Sequence, residues 1–351
     1  MKAAVAPLAD EASFLREWAG LHARSGNATP FQSPAWMTVW LDEARRRATL
    51  WVARVEDETL DGAPAALAVF GVARRGLRGG IARLAETDDG ALDDIYVEYN
   101  DPLLSRNAPA EARRLLLGAL FARLPAQEIV LRNAPPPLRQ AALAAGREAG
   151  WVVRVAMENP CFGRRLDAAP PVSRNTRQQV ARSKRLYEAR GPLRLEVADT
   201  PESRRAAYPI LASLHREVWA ARGEAGVFDR PGIAAFHEAL LAREDAPVEI
   251  LTLTCDGAPI GALHMLIGEG SVHQYQSGFA LDGDNRLKPG LLTHSLAMDH
   301  YAGRGFSVYD MMAGEARYKQ SLGEPLRRLS TIEMQHPGWR QKLRGVARNF
   351  R

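Results

Sequence analysis

Apolar and β-branched residues gather into short runs between turn residues, most plainly in the second half of the chain. LRLEV (193–197) alternates in period two, and EILTLTC (249–255), PIGALHMLIG (259–268) and SVHQYQSGF (271–279) each read as a strand. Asp256-Gly257 and Glu269-Gly270 supply tight turns, so the last three predict an antiparallel meander. Helices are predicted at 173–190, behind the cap Ser173, at 201–221, behind Thr200-Pro201, and at 230–243. LLTHSLAMDHYAGRG is a further helix, with Pro289 in its first turn. Gly303 and Gly305 end it, and Leu291, Met298, Tyr301 and Ala302 share one face. FSVYD is a strand, and 326–335 a last one. The order β-α-α-β-β-β-α-β-α-β predicts a small mixed sheet with helices on its faces rather than a doubly wound one.

The first half repeats this order more faintly. Helices at 10–23 and 34–47 precede strands at 49–55 and 63–73, an apparent helix at 109–123 and a strand at 128–132. No residue-level repeat accompanies the shared order. Between the halves, ENPCFGRRLDAAPPVSRN (158–175) reads as a loop because of Pro160, Gly163 and Pro170-Pro171. Two domains are therefore expected, 1–165 and 166–351, which the length of 351 residues also suggests.

Hydrophobic residues make up 46% and charged residues 25%, ordinary for a globular protein. Cys161 and Cys255 form no CxxC pair and point to a reducing compartment. The N-terminal stretch is too soon acidic for a signal peptide, and no run approaches a membrane span, so a cytoplasmic protein is expected. The net charge of +5 is unevenly placed. Residues 173–190 carry six Arg/Lys against Glu188, and 336–351 carry five with no acid. Such patches favour cofactor phosphates, RNA or a lipid surface, and equally suit a solvated arginine-rich surface. In the tail, Trp339, Leu343, Val346 and Phe350 repeat at helical spacing among cations. That would suit peripheral membrane contact, or a helix docked on its own domain.

Candidate chemistry is limited to a few places. NRLKPGLL (285–292) puts a polar loop and glycine before a helix, where unpaired N–H groups and the dipole favour an anion. A plain helix entry with two solvated cations has the same sequence. GLRGG (76–80) lacks a Walker ending and reads as a hairpin turn; DGDN (282–285) reads as a turn rather than a calcium loop. Eight histidines show no metal-ligand spacing, and no metal is expected. His264 and His273 lie on adjacent predicted strands, and QSGF is no nucleophile elbow because Tyr275 precedes it. The stretch YDMMAGEARYKQSLG (309–323) crowds Asp310, Glu315, Tyr318 and Lys319, one of only five lysines, at a strand end. Asp310 could accept a proton there, and Lys319 or Tyr318 could face developing charge. A solvated helix face with Asp310 as its cap fits the spacing as well.

These elements and motifs resemble the GNAT N-acyltransferase superfamily, in particular its tandem-domain branch with the Fem-type aminoacyl transferases and CelD-like proteins. The resemblance rests on residues 215–231, DGAPIGALH (256–264), KPGLL (288–292) and above all Tyr309, Asp310, Gly314, Tyr318 and Lys319. TPFQSPAWMTVWL (29–41) and YNDPLL (99–104) extend it to the first half. It implies an α/β (mixed α+β) fold of two tandem GNAT-like domains, each a mostly antiparallel sheet flanked by helices. It implies a donor pyrophosphate on the helix entry, here Arg286, Lys288, Gly290 and Leu291, although Leu291-Leu292 stands where the superfamily has a second small residue. Lys319 would stabilise the transferring acyl group, Asp310 would be base or orienter, and Tyr318 a proton donor. His264, Tyr275 and Glu315 are the expected substrate-binding residues.

The expected activity is acyl transfer from acyl-CoA, as co-substrate, to an amine or hydroxyl of a small molecule or saccharide. An aminoacyl-tRNA donor, supported by the basic helix 173–190, is the alternative. A catalytically silent binding module for an anionic sugar, lipid or protein is a third reading. No DNA partner is expected.

Overall fold

The computed structural model describes residues 1–57, 63–74, 79–167 and 172–338. The chain forms two compact units, Met1–Asn159 together with the C-terminal stretch from Arg328, and Pro160–Arg327. The expected first boundary, 165, lies six residues from the observed one at Asn159. The expected second domain, by contrast, loses its last stretch from Arg328 to the first unit. The basic tail from Trp339 and most of the glycine-rich 76–80 stretch lie outside the described residues.

The first unit runs β1 (Lys2–Pro7), α1 (Glu11–His22), α2 (Pro34–Ala44), β2 (Thr49–Glu56), β3 (Pro64–Arg74), β4 (Gly80–Leu84), α3 (Gly90–Asp93) and β5 (Leu103–Leu104). It continues with α4 (Ala112–Arg123), β6 (Glu128–Ala134), α5 (Pro136–Ala149) and the first part of β7 (Val152–Arg165). Caps explain the starts: Asp10 accepts from the Ser13 N–H at 2.9 Å, and Ser33 from that of Trp36 at 3.2 Å, with Pro34 at the first helical position. β1 to β4 pair antiparallel in chain order, and β4 then pairs parallel with β6 from Ile81↔Glu128 to Arg83↔Val130. The apolar core lies between this sheet and α4 and α5, with Phe70, Leu116, Leu120 and Leu138 fully enclosed.

The second unit starts within β7 and continues with α6 (Arg174–Glu188), β8 (Leu193–Ala198), α7 (Pro201–Ala220), α8 (Pro231–Leu241), β9 (Val248–Cys255), β10 (Ala258–Ile267) and β11 (Ser271–Phe279). There follow α9 (Pro289–Gly303), β12 (Val308–Ala313), α10 (Arg317–Leu322) and β13 (Glu324–Gln335), which runs on into the first unit. The expected meander is present: β8, β9, β10 and β11 pair antiparallel, and Asp256 (φ 50°) with Gly257 (φ 79°) makes the left-handed turn that Asp-Gly favours. β11 then pairs parallel with β12, as β4 does with β6. The two units thus share one strand-and-helix order, and the mixed α/β tandem architecture is present.

The segment expected as a loop is mostly strand. β7 continues through Pro160 and Gly163, and its residues Cys161 to Arg165 pair antiparallel with β12. Proline is tolerated because its carbonyl, which accepts from the Gly314 N–H at 3.0 Å, is what the ladder uses there. At Gly163 a Cβ would stand 2.8 Å from the Tyr309 carbonyl oxygen and 2.3 Å from Leu326 Cδ1. Gly163→Ala is therefore expected to destabilise the protein by about 1–3 kcal/mol, read as a lower urea midpoint at unchanged m-value. An unchanged midpoint would show that the strands give way freely there.

Candidate functional site

β11 and β12 stay together for only three residue pairs, Ser271↔Val308, Val272↔Tyr309 and His273↔Asp310. Beyond these they part, because β12 bulges. Met312 takes a left-handed φ of 64°, and pairing with β7 resumes only at Ala313. The Asp310 carboxylate fastens this bulge by accepting from the Met312 N–H at 2.7 Å, and it is 1% exposed. His273 Nδ1 lies 3.8 Å from its other oxygen. Asp310, expected as base or orienter, is thus buried and holds the bulge.

α10 follows the bulge directly. The Tyr318 hydroxyl donates to Gln274 Oε1 of β11 at 3.0 Å. Its ring stacks on His294 of α9, with centroids 5.0 Å apart and planes within 14°. A 2.9 Å hydrogen bond joins His294 Nδ1 to the Tyr309 hydroxyl. Burial pushes the Tyr318 phenol upward and the His294 imidazole down to about 3, so both stay neutral at ordinary pH. Lys319 turns elsewhere. Its ammonium donates to the carbonyls of Ala313 at 2.5 Å and Met312 at 3.3 Å, holding the turn between β12 and α10. Lys319, expected to stabilise the transferring acyl group, is placed on these carbonyls and is not among the residues that line the cavity described next.

A cavity of about 820 Å³ opens beside this arrangement, within the second unit. Gly163 and Arg164 of β7 line it, with Ser173, Asn175 and Thr176 at the start of α6, Lys288 and Leu291 at the entry of α9, and Arg317 and Tyr318 of α10. Three cations, Arg164, Lys288 and Arg317, face it against the single carboxylate of Glu324. Two helix entries converge there. Ser173 caps α6 by accepting from Thr176 at 3.1 Å, and Ser183 Oγ accepts the Lys288 N–H at 3.0 Å. Helix geometry leaves the N–H groups of Gly290 and Leu291 outside the intrahelical ladder, since Pro289 has none and Leu292 makes the first bond to Lys288. At Gly290 a Cβ would press on the Phe279 ring at 3.3 Å, so a larger residue needs that ring to give by a few tenths of an ångström.

Of the expected anion-binding residues, Lys288 and Leu291 reach the cavity wall. Arg286 does not: it is folded back on Asp284 at 2.7 Å and is exposed. Glu315 is exposed and away from the wall. His264 and Tyr275 meet each other, ring centroids 5.1 Å apart, on the side of β10 and β11 covered by α7 and α8. Arg164, Gln274, His294 and Arg317 were not singled out by sequence reasoning. Only the stacking of α10 on α9 reveals their proximity.

Residues 174–320 match the family model of the acetyltransferase (GNAT) domain. This match lies within the second unit. Solved structures similar to nearly the whole chain include FemX, at a TM-score of 0.60 and 11% identity, covering 94% of this chain and 97% of that one. L-PGS from Bacillus licheniformis aligns at a TM-score of 0.53 and 11% identity over 94% of each chain. A tandem GNAT protein from the clavulanic acid biosynthesis pathway aligns at 0.50 and 15%, covering 95% and 98%. At these identities the likeness is one of fold. No curated protein matches the chain. The parting of β11 from β12 and the cavity at the entry of α9 sit side by side in the second unit.

Proposed function

We propose that the second unit transfers an acyl group from an anionic, activated donor, acyl-CoA, to an amine or hydroxyl acceptor. The observation that carries this reading is the single cavity shared by the entry of α9, three cations and the Tyr318 ring. At about 820 Å³ it falls in the range of pockets that enclose a whole small ligand. Arg164, Lys288 and Arg317, with the free N–H groups of Gly290 and Leu291, would hold the donor's phosphates.

In the reaction, the acceptor's N–H or O–H adds to the thioester carbonyl and the C–S bond breaks. The sulfur leaves as thiol with a proton from Tyr318, and the acceptor's own proton restores the phenol. The upward push on that phenol keeps it protonated until a thiolate forms, and Gln274 fixes its direction. Aminoacyl-tRNA is the second reading, favoured by the exposed Arg177, Arg182, Lys184 and Arg185 on α6.

A thermal shift separates them. Acyl-CoA at 100 times its Kd should stabilise the native state by about 2.7 kcal/mol, raising Tm by a few degrees, and Lys288→Ala with Arg317→Ala should remove most of that. No shift with acyl-CoA, together with a salt-sensitive shift on adding aminoacyl-tRNA, would transfer the assignment to the second reading.

A further inference from the structure

Ser183 is fully buried in the middle of α6, on the same face as Val180 and Tyr187, which share one apolar cluster with Leu287 and Leu292. Alanine would form this helix better and would bury no hydroxyl there. The hydroxyl has a use: it accepts the Lys288 N–H at 3.0 Å. One turn back along α6, Gln179 lines the cavity, as do Ser173, Asn175 and Thr176. The same helix thus forms a cavity wall at its start and grips the entry of α9 at mid-length.

That grip matters because of what stands at the entry. Lys288 is the N-cap of α9, where Ser, Thr, Asp or Asn ordinarily turns an oxygen back onto the first open N–H groups. Lysine has no acceptor, and no side chain caps α9 among the described residues, so the N–H groups of Gly290 and Leu291 stay open. Lys288 itself is not helical, with φ −126° and ψ 68°, and Pro289 after it offers no N–H. Its own N–H is the donor that Ser183 takes, and this bond fixes the peptide from which α9 and the lysine side chain both set out. Elsewhere the loop is held more loosely. Arg190, just past α6, donates to Asp282 at 2.6 Å, and Asp282 and Asp284 accept from the N–H groups of Asp284 and Arg286 at 2.8 and 2.9 Å. All three bonds are exposed, and such surface contacts contribute little.

We propose that Ser183 is a positioning residue: it sets the entry of α9 so that the Lys288 ammonium and the N–H groups of Gly290 and Leu291 meet one phosphate group in the cavity. Calling that phosphate the donor's rests on the acyl-transfer reading; the hold on Lys288 does not. Without the hydroxyl, the Lys288 N–H must turn to water or to another carbonyl, which rotates the peptide and spreads the three groups. The charge facing the cavity is unaltered by that loss, so an anion is still attracted. The directed hydrogen bonds, however, no longer close on it together.

The test labels lysine with nitrogen-15 in the full chain, which holds five lysines, and assigns the Lys288 backbone amide by Lys288→Arg. Inorganic pyrophosphate is the probe, and in wild type it should move the Lys288 signal saturably. Ser183→Ala should shift that signal before any anion is added. It should also weaken pyrophosphate about tenfold, the upper end of what one hydrogen bond supports. The Lys319 amide, in the same unit, reports that the fold is kept. Where alanine fails to fold, Ser183→Cys keeps the shape with a weaker acceptor and should lose affinity in the same direction. Pyrophosphate binding as tight in the variant as in wild type overturns the proposal, and so does a wild-type Lys288 signal that pyrophosphate leaves unmoved. The acyl-CoA thermal shift, read on the same samples, keeps the two ideas apart. Pyrophosphate binding that depends on Ser183, with no acyl-CoA shift, keeps the positioning role and removes that donor. An acyl-CoA shift equal in wild type and Ser183→Ala removes the positioning role alone.

Discussion

Tyr318→Phe is expected to lower kcat for acyl transfer about 100-fold, the lower end of what a positioned proton donor contributes, while leaving donor affinity unchanged. The ring does the binding work: it stacks on His294 and forms part of the cavity wall, and phenylalanine keeps both contacts. Only the hydroxyl is lost, and with it the bond to Gln274. Gln274→Ala should then show a smaller loss of the same kind, because the phenol remains but its direction is no longer fixed. Lys319→Met makes the useful contrast. Its ammonium lies on the Met312 and Ala313 carbonyls, so this variant should lower stability before it alters the rate of the folded fraction. Initial rates against acyl-CoA concentration, corrected for the folded fraction, decide the matter. A Tyr318→Phe enzyme within twofold of wild type in kcat would remove Tyr318 from the chemistry.

The legible parts of this fold were those where chain-local chemistry decides. The Asp256-Gly257 turn, the Thr200-Pro201 entry to α7 and the alternation of β8 can be read from a few residues, and each is present where expected. β1, β4 and α5 were passed over. β4 is five residues long, and α5 opens on the Pro135-Pro136-Pro137 run, which reads as a loop until Pro136 is seen at the first helical turn and Gly150 (φ 70°) at the far end. β7 was misread for a related reason: Pro160 and Gly163 break most strands, but here the neighbouring backbone demands a residue without a Cβ.

At the site, the sequence marked the α9 entry and the residues after β12, and Lys288, Leu291 and Tyr318 do share one cavity. What it could not convey is where each side chain ends. Lys319 and Tyr318 are adjacent in the chain, yet one reaches carbonyls behind the bulge and the other the cavity. Likewise His215 and His237 are far apart in sequence and meet through Phe228 only once α7 and α8 have packed.

Acid should loosen the second unit, and His294 and His237 each contribute to the effect. Burial lowers each imidazole from an ordinary 6.5 to about 3, and His264 moves in the same direction. Between those values the unfolded chain binds a proton that the folded one refuses, so the stability is full above pH 6.5 and is lost as pH falls. At pH 5 the loss amounts to about 2 kcal/mol for each of His294 and His237, against a net stability of about 5–15 kcal/mol. The first unit responds with opposite sign. Burial outweighs the pull of Arg132 on Glu86 and pushes its carboxyl up to about 8, so the folded state gains protons, and stability, as pH falls from 8 toward 4.5. A whole-protein melting curve would blend the two. Both cysteines of the chain, Cys161 and Cys255, are buried in the second unit, so urea-dependent labelling by a thiol reagent active at pH 5 reads that unit alone. The midpoint should fall between pH 7.5 and pH 5, and His294→Gln should flatten the difference by about 2 kcal/mol. A thiol-exposure midpoint independent of pH over that range would mean that these imidazoles are charged, or wet, in the native state.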